Sequence, residues 1–375
     1  MSDQKDNRSG GPTTSGAYAL AEILSQPKVW DACLELLARE RRLEDVNQRF
    51  HGKRNWLFIG CGSSYYVSLA AAASMNLLTE CRARAVPASE VLLYPELTLG
   101  DTSDVVPVLV SRSGKTSEVL RAAQIFKDRG IETLAITCSA GQVLEEMAST
   151  TILLSPADEQ STVMTRSFTS MLLTMQALAA TVADDKPFID ALKQLPSAAE
   201  RTLHDVPKRV REFVAGHAFA DYVSLAQGPF FGLACESALK MTEMSVSYGQ
   251  VFHTLEFRHG PKSIVSPETL LVFLLSESSY DAECEALEEM KQLGGTTMVV
   301  CNRADRRARA SADLLIELNL ESPELARLAP TLYGPQLAGL YTGLKKGLDP
   351  DHPRNLSRVV ELENRGSETT EHAAL

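Results

Sequence analysis

The chain has 375 residues, 44% of them hydrophobic and 23% charged, with a formal net charge of −11. This is a globular composition with room for two domains, and the acidic balance argues against nucleic acid as a partner while leaving a small phosphorylated ligand open. No apolar run of about 18 residues and no signal-peptide core occur, and the seven cysteines are scattered without a C-x-x-C pair, so buried thiols in a reducing cytoplasm are expected, with no membrane span, disulfide framework or metal site.

Residues 1–16 are polar and rich in Gly, Ser and Thr, which reads as disorder. Helical periodicity runs from Ala17 to Gln26, is interrupted at Pro27 and resumes from Val29 to about Arg42. Asn55–Ile59 reads as a strand, followed by Gly60-Cys61-Gly62-Ser63-Ser64 and a helix from Tyr65 to Leu78. Tyr65 stands where a dinucleotide fingerprint needs glycine, so what remains is a Gly-x-Gly turn with two serines, a candidate anion cradle. Arg82–Pro87 is a further strand, with helix over Ser89–Leu93.

Val105–Val110 is a β-branched run that gives way to Ser111-Arg112-Ser113-Gly114-Lys115-Thr116-Ser117 and then to a helix ending at Asp128, with Gly130 as its stop. Strand, hydroxyl-rich turn and helix together can hold a phosphate, because the N–H groups at a helix start point outward and the hydroxyls add donors. A simple helix cap needs one hydroxyl; this turn has four in seven residues. Leu109 stands where a P-loop needs glycine, which rejects an ATPase. Thr133–Thr137 and Thr151–Leu154 complete a βαβα alternation that predicts a parallel sheet, with both serine-rich turns at the carboxyl ends of its strands. Thr162 to about Val182 is helical, and Pro187 and Pro196 fall in the connection that follows.

The pattern then repeats. Asp221–Gly228 resembles Asn55–Gly62 at an offset of 166, Leu270–Ser276 resembles Val105–Ser111 at 165, and the segment ending at Cys301 resembles that ending at Cys138 at 163. Two copies of one α/β unit follow. In the second copy Ser276-Glu277-Ser278 lacks the glycine and the basic residue, and Glu277 is expected to repel a phosphate, so only the first half should bind one. The helix after Gly228 carries Glu236, Lys240 and Glu243 on one stripe, which fits either a solvated ion pair or a chemical role. His259 precedes Gly260-Pro261 in a turn, where it can titrate near neutrality and move protons. Residues 325–347 read as helix, and 363–375 as a frayed acidic tail.

Taken together, the Gly-x-Gly-Ser-Ser turn, SRSGKTSE, MTRSFTSM, ESALKMTE, the HGP turn and PRNLSRVV resemble the sugar isomerase (SIS) family over residues 20 to 361. Within it the chain is similar to the AgaS-type amino-sugar phosphate deaminase/isomerase branch and to the isomerase half of glucosamine-6-phosphate synthase. The resemblance implies two tandem SIS domains, each a five-stranded parallel sheet flanked by helices (flavodoxin-like). Residues 17–195 would form the first, with the phosphate site, and 196–362 the second, with the catalytic Glu and His. It implies that Ser63, Ser64, Ser111, Ser113 and Thr116 bind phosphate, with Arg112 contributing backbone, and that Gly62, Thr162 and Met164 border the sugar. Met164 replaces a serine of the family. Glu243 would be the base between C1 and C2, Glu236 and Lys240 its support, and His259 the ring-opening group, reaching the neighbouring subunit of a homodimer. No cofactor is implied. Arg358 stands where the synthase has a Schiff-base lysine, and an arginine is no amine nucleophile. The reaction so implied is deamination or aldose–ketose isomerisation of glucosamine 6-phosphate or galactosamine 6-phosphate. A fructosamine-6-phosphate deglycase or a non-catalytic sugar-phosphate sensor are the alternatives.

Overall fold

A computed structural model describes residues 14–100, 104–360 and 362. Of the disorder expected at 1–16 and 363–375, residues 1–13 and 363–375 lie outside the described residues, whereas 15–16 form a turn in which the Gly16 N–H bonds Asp349 Oδ1 at 2.9 Å. Ten strands form two sheets. The first holds β1 (Asn55–Gly60), β2 (Arg82–Pro87), β3 (Val105–Val110), β4 (Leu134–Thr137) and β5 (Thr150–Leu153). The second holds β6 (Asp221–Ala226), β7 (Gly249–His253), β8 (Thr269–Leu274), β9 (Thr296–Cys301) and β10 (Leu314–Glu317). Their orders are β2-β1-β3-β4-β5 and β10-β9-β8-β6-β7, with every pairing parallel. Both therefore have the flavodoxin-like 2-1-3-4-5 order, whose chain reversal between the first and third strands opens a crevice at the carboxyl ends.

Alternation along the strands sorts the core into layers. Trp56, Phe58, Val106 and Val108 face inward, into one apolar cluster that continues through Ala70 and Leu233 to Leu274 and Met298 of the second sheet. Leu57, Ile59 and Leu109 face outward against Phe126, and Leu225 and Phe273 against Leu287. The two halves thus share a continuous interior.

Their junction is made by small residues. A Cβ on Gly232 would fall 2.6 Å from the Tyr66 carbonyl oxygen and 2.9 Å from the Ala70 nitrogen, so the helix Phe231–Ser245 lies directly against the helix Ser63–Leu78. On its other side, a Cβ on Gly343 of the helix Tyr333–Lys345 would fall 2.1 Å from the Met244 carbonyl oxygen. The helix bearing Glu236, Lys240 and Glu243 is therefore clamped backbone to backbone between its neighbours.

Three local expectations change. Pro27 does not interrupt a helix; it occupies the first turn of Gln26–Glu40, where a missing N–H costs nothing. Pro187 and Pro196 belong to the helix Lys186–Thr202, the first in its opening turn and the second inside it. The register of the repeat also shifts. Ser111 donates its N–H to the Ile136 carbonyl as Leu275 does to that of Val300, so Leu275, not Ser276, is the counterpart of Ser111. Likewise Leu154 bonds to Thr137 as Leu318 does to Cys301, which pairs Cys301 with Thr137 instead of Cys138. Among the described residues no helix is long and apolar enough to cross a membrane.

Candidate functional site

Two turns at the carboxyl ends of β1 and β3 meet at the chain reversal of the first sheet. The β1 turn folds back so tightly that a Cβ on Gly60 would lie 2.5 Å from the Ser64 carbonyl carbon, and Gly62 takes a φ of +54°, a left-handed value that suits glycine. Gly114 in the β3 turn has φ +63°, and a Cβ there would press 2.7 Å from Gln142 Cβ. Between the turns lies a cavity of about 190 Å³. It is lined by Gly62, Ser63 and Ser64 of the first turn, Arg112, Ser113 and Thr116 of the second, Thr162, Met164 and Glu243, and residues 356–360, Arg358 among them.

Ser111 lies beneath this surface. Its hydroxyl is 3.1 Å from Thr116 Oγ1 and accepts the Gly114 N–H at 3.2 Å, so it fixes the loop and aims Thr116. The Ser113 hydroxyl accepts the Lys115 N–H at 3.3 Å. Among the described residues the N–H groups of Arg112 and Ser113 have no acceptor. A small concave surface of hydroxyls and unpaired N–H groups suits a phosphate.

Arg112 also lines the cavity, and its guanidinium is engaged by acceptors of the protein itself. It is 5% exposed and donates to the carbonyls of Thr162 at 2.8 Å, Val163 at 3.1 Å and Arg358 at 3.2 Å, and to Glu159 at 3.2 Å. Glu159 is a hub that sequence reasoning missed: its buried carboxylate also accepts the Thr165 N–H at 2.6 Å, the Thr165 hydroxyl at 2.8 Å and the Ser167 N–H at 3.2 Å. Glu22, equally buried, accepts the Gln160 N–H at 2.5 Å. Burial and the nearby Glu159 push the Glu22 carboxyl above its ordinary range. Asp351 caps the first helix through the N–H groups of Tyr18 and Ala19, and its carbonyl accepts the Thr162 N–H at 3.0 Å. Three acidic residues from distant parts of the chain thus hold the loop that brings Thr162 and Met164 to the cavity. Met164 Sδ is 3.8 Å from Ser64 Oγ.

The Glu236–Lys240–Glu243 stripe is no surface pair. Lys240 and Glu236 have fully buried side chains, with Lys240 Nζ 3.2 Å from Glu236 Oε1, and Lys240 also donates to Glu243. Ser63 donates its hydroxyl to Glu236 Oε1 at 3.0 Å and lies 3.3 Å from Lys240 Nζ. Ser63 was expected to serve the phosphate; its hydroxyl is committed to this network instead. Burial, opposed by Lys240 and reinforced by Glu243, pushes the Glu236 carboxyl up to about 8, and its Oε2 has no partner among the described residues. Burial pulls Lys240 down, but its two carboxylate neighbours outweigh this and hold it charged. Glu243 alone of the three reaches the cavity, with 18% of its side chain exposed. A cationic lysine behind a partly exposed carboxylate holds that carboxylate in place and favours its charged form.

Cys61 also borders the cavity, but burial pushes its thiol up to about 11, which leaves it un-ionised at neutral pH. Arg358 makes a 2.5 Å ion pair with Asp158, and Val360 accepts the Ser117 N–H at 3.3 Å, so the 356–360 segment is tied down at both ends of the cradle.

His259 is absent from the cavity wall. It sits exposed on the turn between Glu256–Arg258 and Pro261–Ile264, and Gly260 follows it at φ +114°. Arg258 and Lys262 flank it and both bond Glu289, at 2.8 and 2.6 Å, which fixes the turn and presents His259 outward.

Against known proteins, the family model described as SIS domain matches residues 49–181 and 225–336. Glutamine--fructose-6-phosphate aminotransferase [isomerizing] of Pyrobaculum aerophilum is 26% identical over 93% of this chain and 59% of its own length, and that of Helicobacter pylori is 27% identical over 81% and 51%. The chain spans a little over half the length of these relatives. Among solved structures, glucosamine-6-phosphate deaminase from Thermotoga maritima superposes with a TM-score of 0.75 at 27% identity, covering 92% of this chain and 100% of that one. Tagatose-6-phosphate ketose/aldose isomerase from Escherichia coli gives 0.80 at 22% identity, over 92% and 99%, a likeness of fold.

Proposed function

The chain belongs to the SIS domain family, and from that premise we propose that it is an enzyme that isomerises or deaminates an amino-sugar 6-phosphate. The observation that carries this reading is the placement of the Glu243 carboxylate, backed by buried Lys240, in the same small cavity as the Ser113 and Thr116 hydroxyls. The named relatives act on, or are named for, sugar phosphates and amino-sugar phosphates, which supports the same class.

The phosphate docks on Ser64, Ser113, Thr116 and the N–H groups of Arg112 and Ser113, with Ser111 holding the loop in shape. This fixes the sugar by its C6 end. His259 of a second subunit assists ring opening, since within its own chain it faces outward from another surface. Glu243 takes the C2 proton of the open aldose and a proton returns at C1, giving a ketimine at C2. Water adds to C2, ammonia leaves, and a ketose 6-phosphate remains. General acid–base catalysis contributes about 10²–10⁴-fold and positioning contributes more. The substrate's own amine forms the imine, so Arg358 need not act as a nucleophile, and its pairing with Asp158 fits a structural part.

The test is ammonia release from glucosamine 6-phosphate and galactosamine 6-phosphate in parallel, with Glu243→Gln as control. Release from one sugar, lost in the variant while sugar-phosphate binding persists, is expected. Binding of either sugar without release from any would refute the deaminase and favour a deglycase or a sensor.

A further inference from the structure

The second half contains the counterpart of the phosphate loop, and it is occupied. After β8 the chain turns through Ser276, Glu277 and Ser278 into the helix Tyr280–Gln292. The N–H groups of Glu277 and Ser278 and the Ser278 hydroxyl converge on the Glu324 carboxylate: Ser278 N lies 3.2 Å from Oε1, Ser278 Oγ lies 2.6 Å from Oε2, and Glu277 N also donates to Oε1. Two adjacent N–H groups and a hydroxyl around one carboxylate make a formed anion cradle with an anion seated in it.

Glu277 was expected to exclude phosphate by repulsion. Its carboxylate instead points elsewhere, to Asn302 Nδ2 at 3.0 Å and to Arg327 at 2.5 Å. The occupant comes from an informative place. The bonds pairing Leu154 with Thr137 and Leu318 with Cys301 put the segment after β10 in register with the segment after β5. In the first half that segment delivers Thr162 and Met164 to the flank of an open cradle; in the second it delivers Glu324 into the cradle.

We propose that the second half holds an anion site in the loop corresponding to that of the first, its N–H donors one residue further along, masked by the chain's own Glu324, and that removing this carboxylate uncovers a site for inorganic phosphate or a phosphate monoester. A tethered carboxylate acts at an effective concentration in the millimolar range, about that of a short flexible linker, so free phosphate competes with it only at comparable or higher levels. One sugar phosphate per chain is the consequence. Two carboxyls near the loop set the limit on affinity: Glu277, neutralised by Arg327, and Glu283, which accepts the Ser276 N–H and hydroxyl at 2.8 Å.

The experiment is a calorimetric count of inorganic phosphate bound per chain, for the wild type and Glu324→Ser. The count does not depend on turnover, so it stands or falls separately from the deaminase reading. The variant is expected to bind one equivalent more than the wild type, with its far-UV circular dichroism and activity unchanged. An equal count in the folded variant overturns the proposal. Should Glu324→Ser not fold, Glu324→Gln keeps the shape without the charge. Phosphate should then raise its melting temperature beyond the wild-type rise, and equal rises would overturn the proposal as well.

Discussion

Replacing Glu236 by glutamine should make the protein more stable at high pH and leave it unchanged at low pH. Burial holds the folded-state carboxyl near about 8 against an ordinary 4.5. Between those two values the folded protein carries a proton that the unfolded chain has lost, so wild-type stability falls as pH rises through that window and levels off above it. Integrated over the window, the effect reaches at most about 5 kcal/mol. Glutamine mimics the protonated acid: its carbonyl oxygen can still accept from Ser63 and Lys240, and it has nothing to ionise. Urea unfolding of both proteins from pH 5 to pH 9 measures the difference. Curves that coincide near pH 5 and part by a few kcal/mol above pH 8 are expected. A constant separation, with the variant less stable throughout, would refute the argument, because it would mean that Glu236 is ionised in the fold and that its charge steadies Lys240. Lys240→Met supplies the contrast. It leaves the buried Glu236 carboxyl and Ser63 hydroxyl without their ammonium neighbour and should cost about 1–3 kcal/mol while Glu236 is protonated.

Ser113→Ala removes one hydroxyl from the cradle and should weaken sugar-phosphate binding by about 10- to 150-fold, as a bond to a charged group is worth about 1.5–3 kcal/mol, with the larger effect on KM; isothermal titration and steady-state kinetics separate the two. Glu159→Gln leaves Arg112 buried without its carboxylate, and a loss of about 3–5 kcal/mol in urea titration is expected, together with loosening of the Thr162–Met164 loop seen as faster amide exchange. Mixing inactive Glu243→Gln with inactive His259→Ala should restore part of the activity if the histidine serves a neighbouring subunit; no recovery after subunit exchange would place its role elsewhere.

Most of the sheet framework was legible because it rests on long-lived signals. β1, β3, β6 and β8 are apolar runs buried on both faces, and that pattern needs no tertiary information. β7, Gly249–His253, was not singled out: it is an edge strand with no buried residue, and its sequence carries no run to find. In the site, the hydroxyl turns were visible because small residues between strand and helix have a local cause. Glu22, Glu159 and Asp351 were invisible for the opposite reason. Each reads as an ordinary polar residue, and each is defined by N–H groups or side chains more than a hundred residues away or by a loop that only they organise. The stripe at Glu236, Lys240 and Glu243 left two readings open, and burial separates them: a helix face is solvated or interior according to what packs on it, here the Gly232 and Gly343 contacts.

The engagement of the Arg112 guanidinium by carbonyls and Glu159 bears on how the protein would respond to ionic strength. The groups that face an incoming phosphate are hydroxyls and backbone N–H dipoles; the arginine beside them is turned to carbonyls and Glu159, and Arg358 above is matched by Asp158. Capture of the phosphate then depends on short-range directed bonds, and little on a long-range field that dissolved ions could screen. In a chain with a net charge of −11, the exposed Lys115 of the loop and the partly exposed Arg358 supply local positive charge, and the affinity should vary less with salt than that of a site built on charged side chains alone.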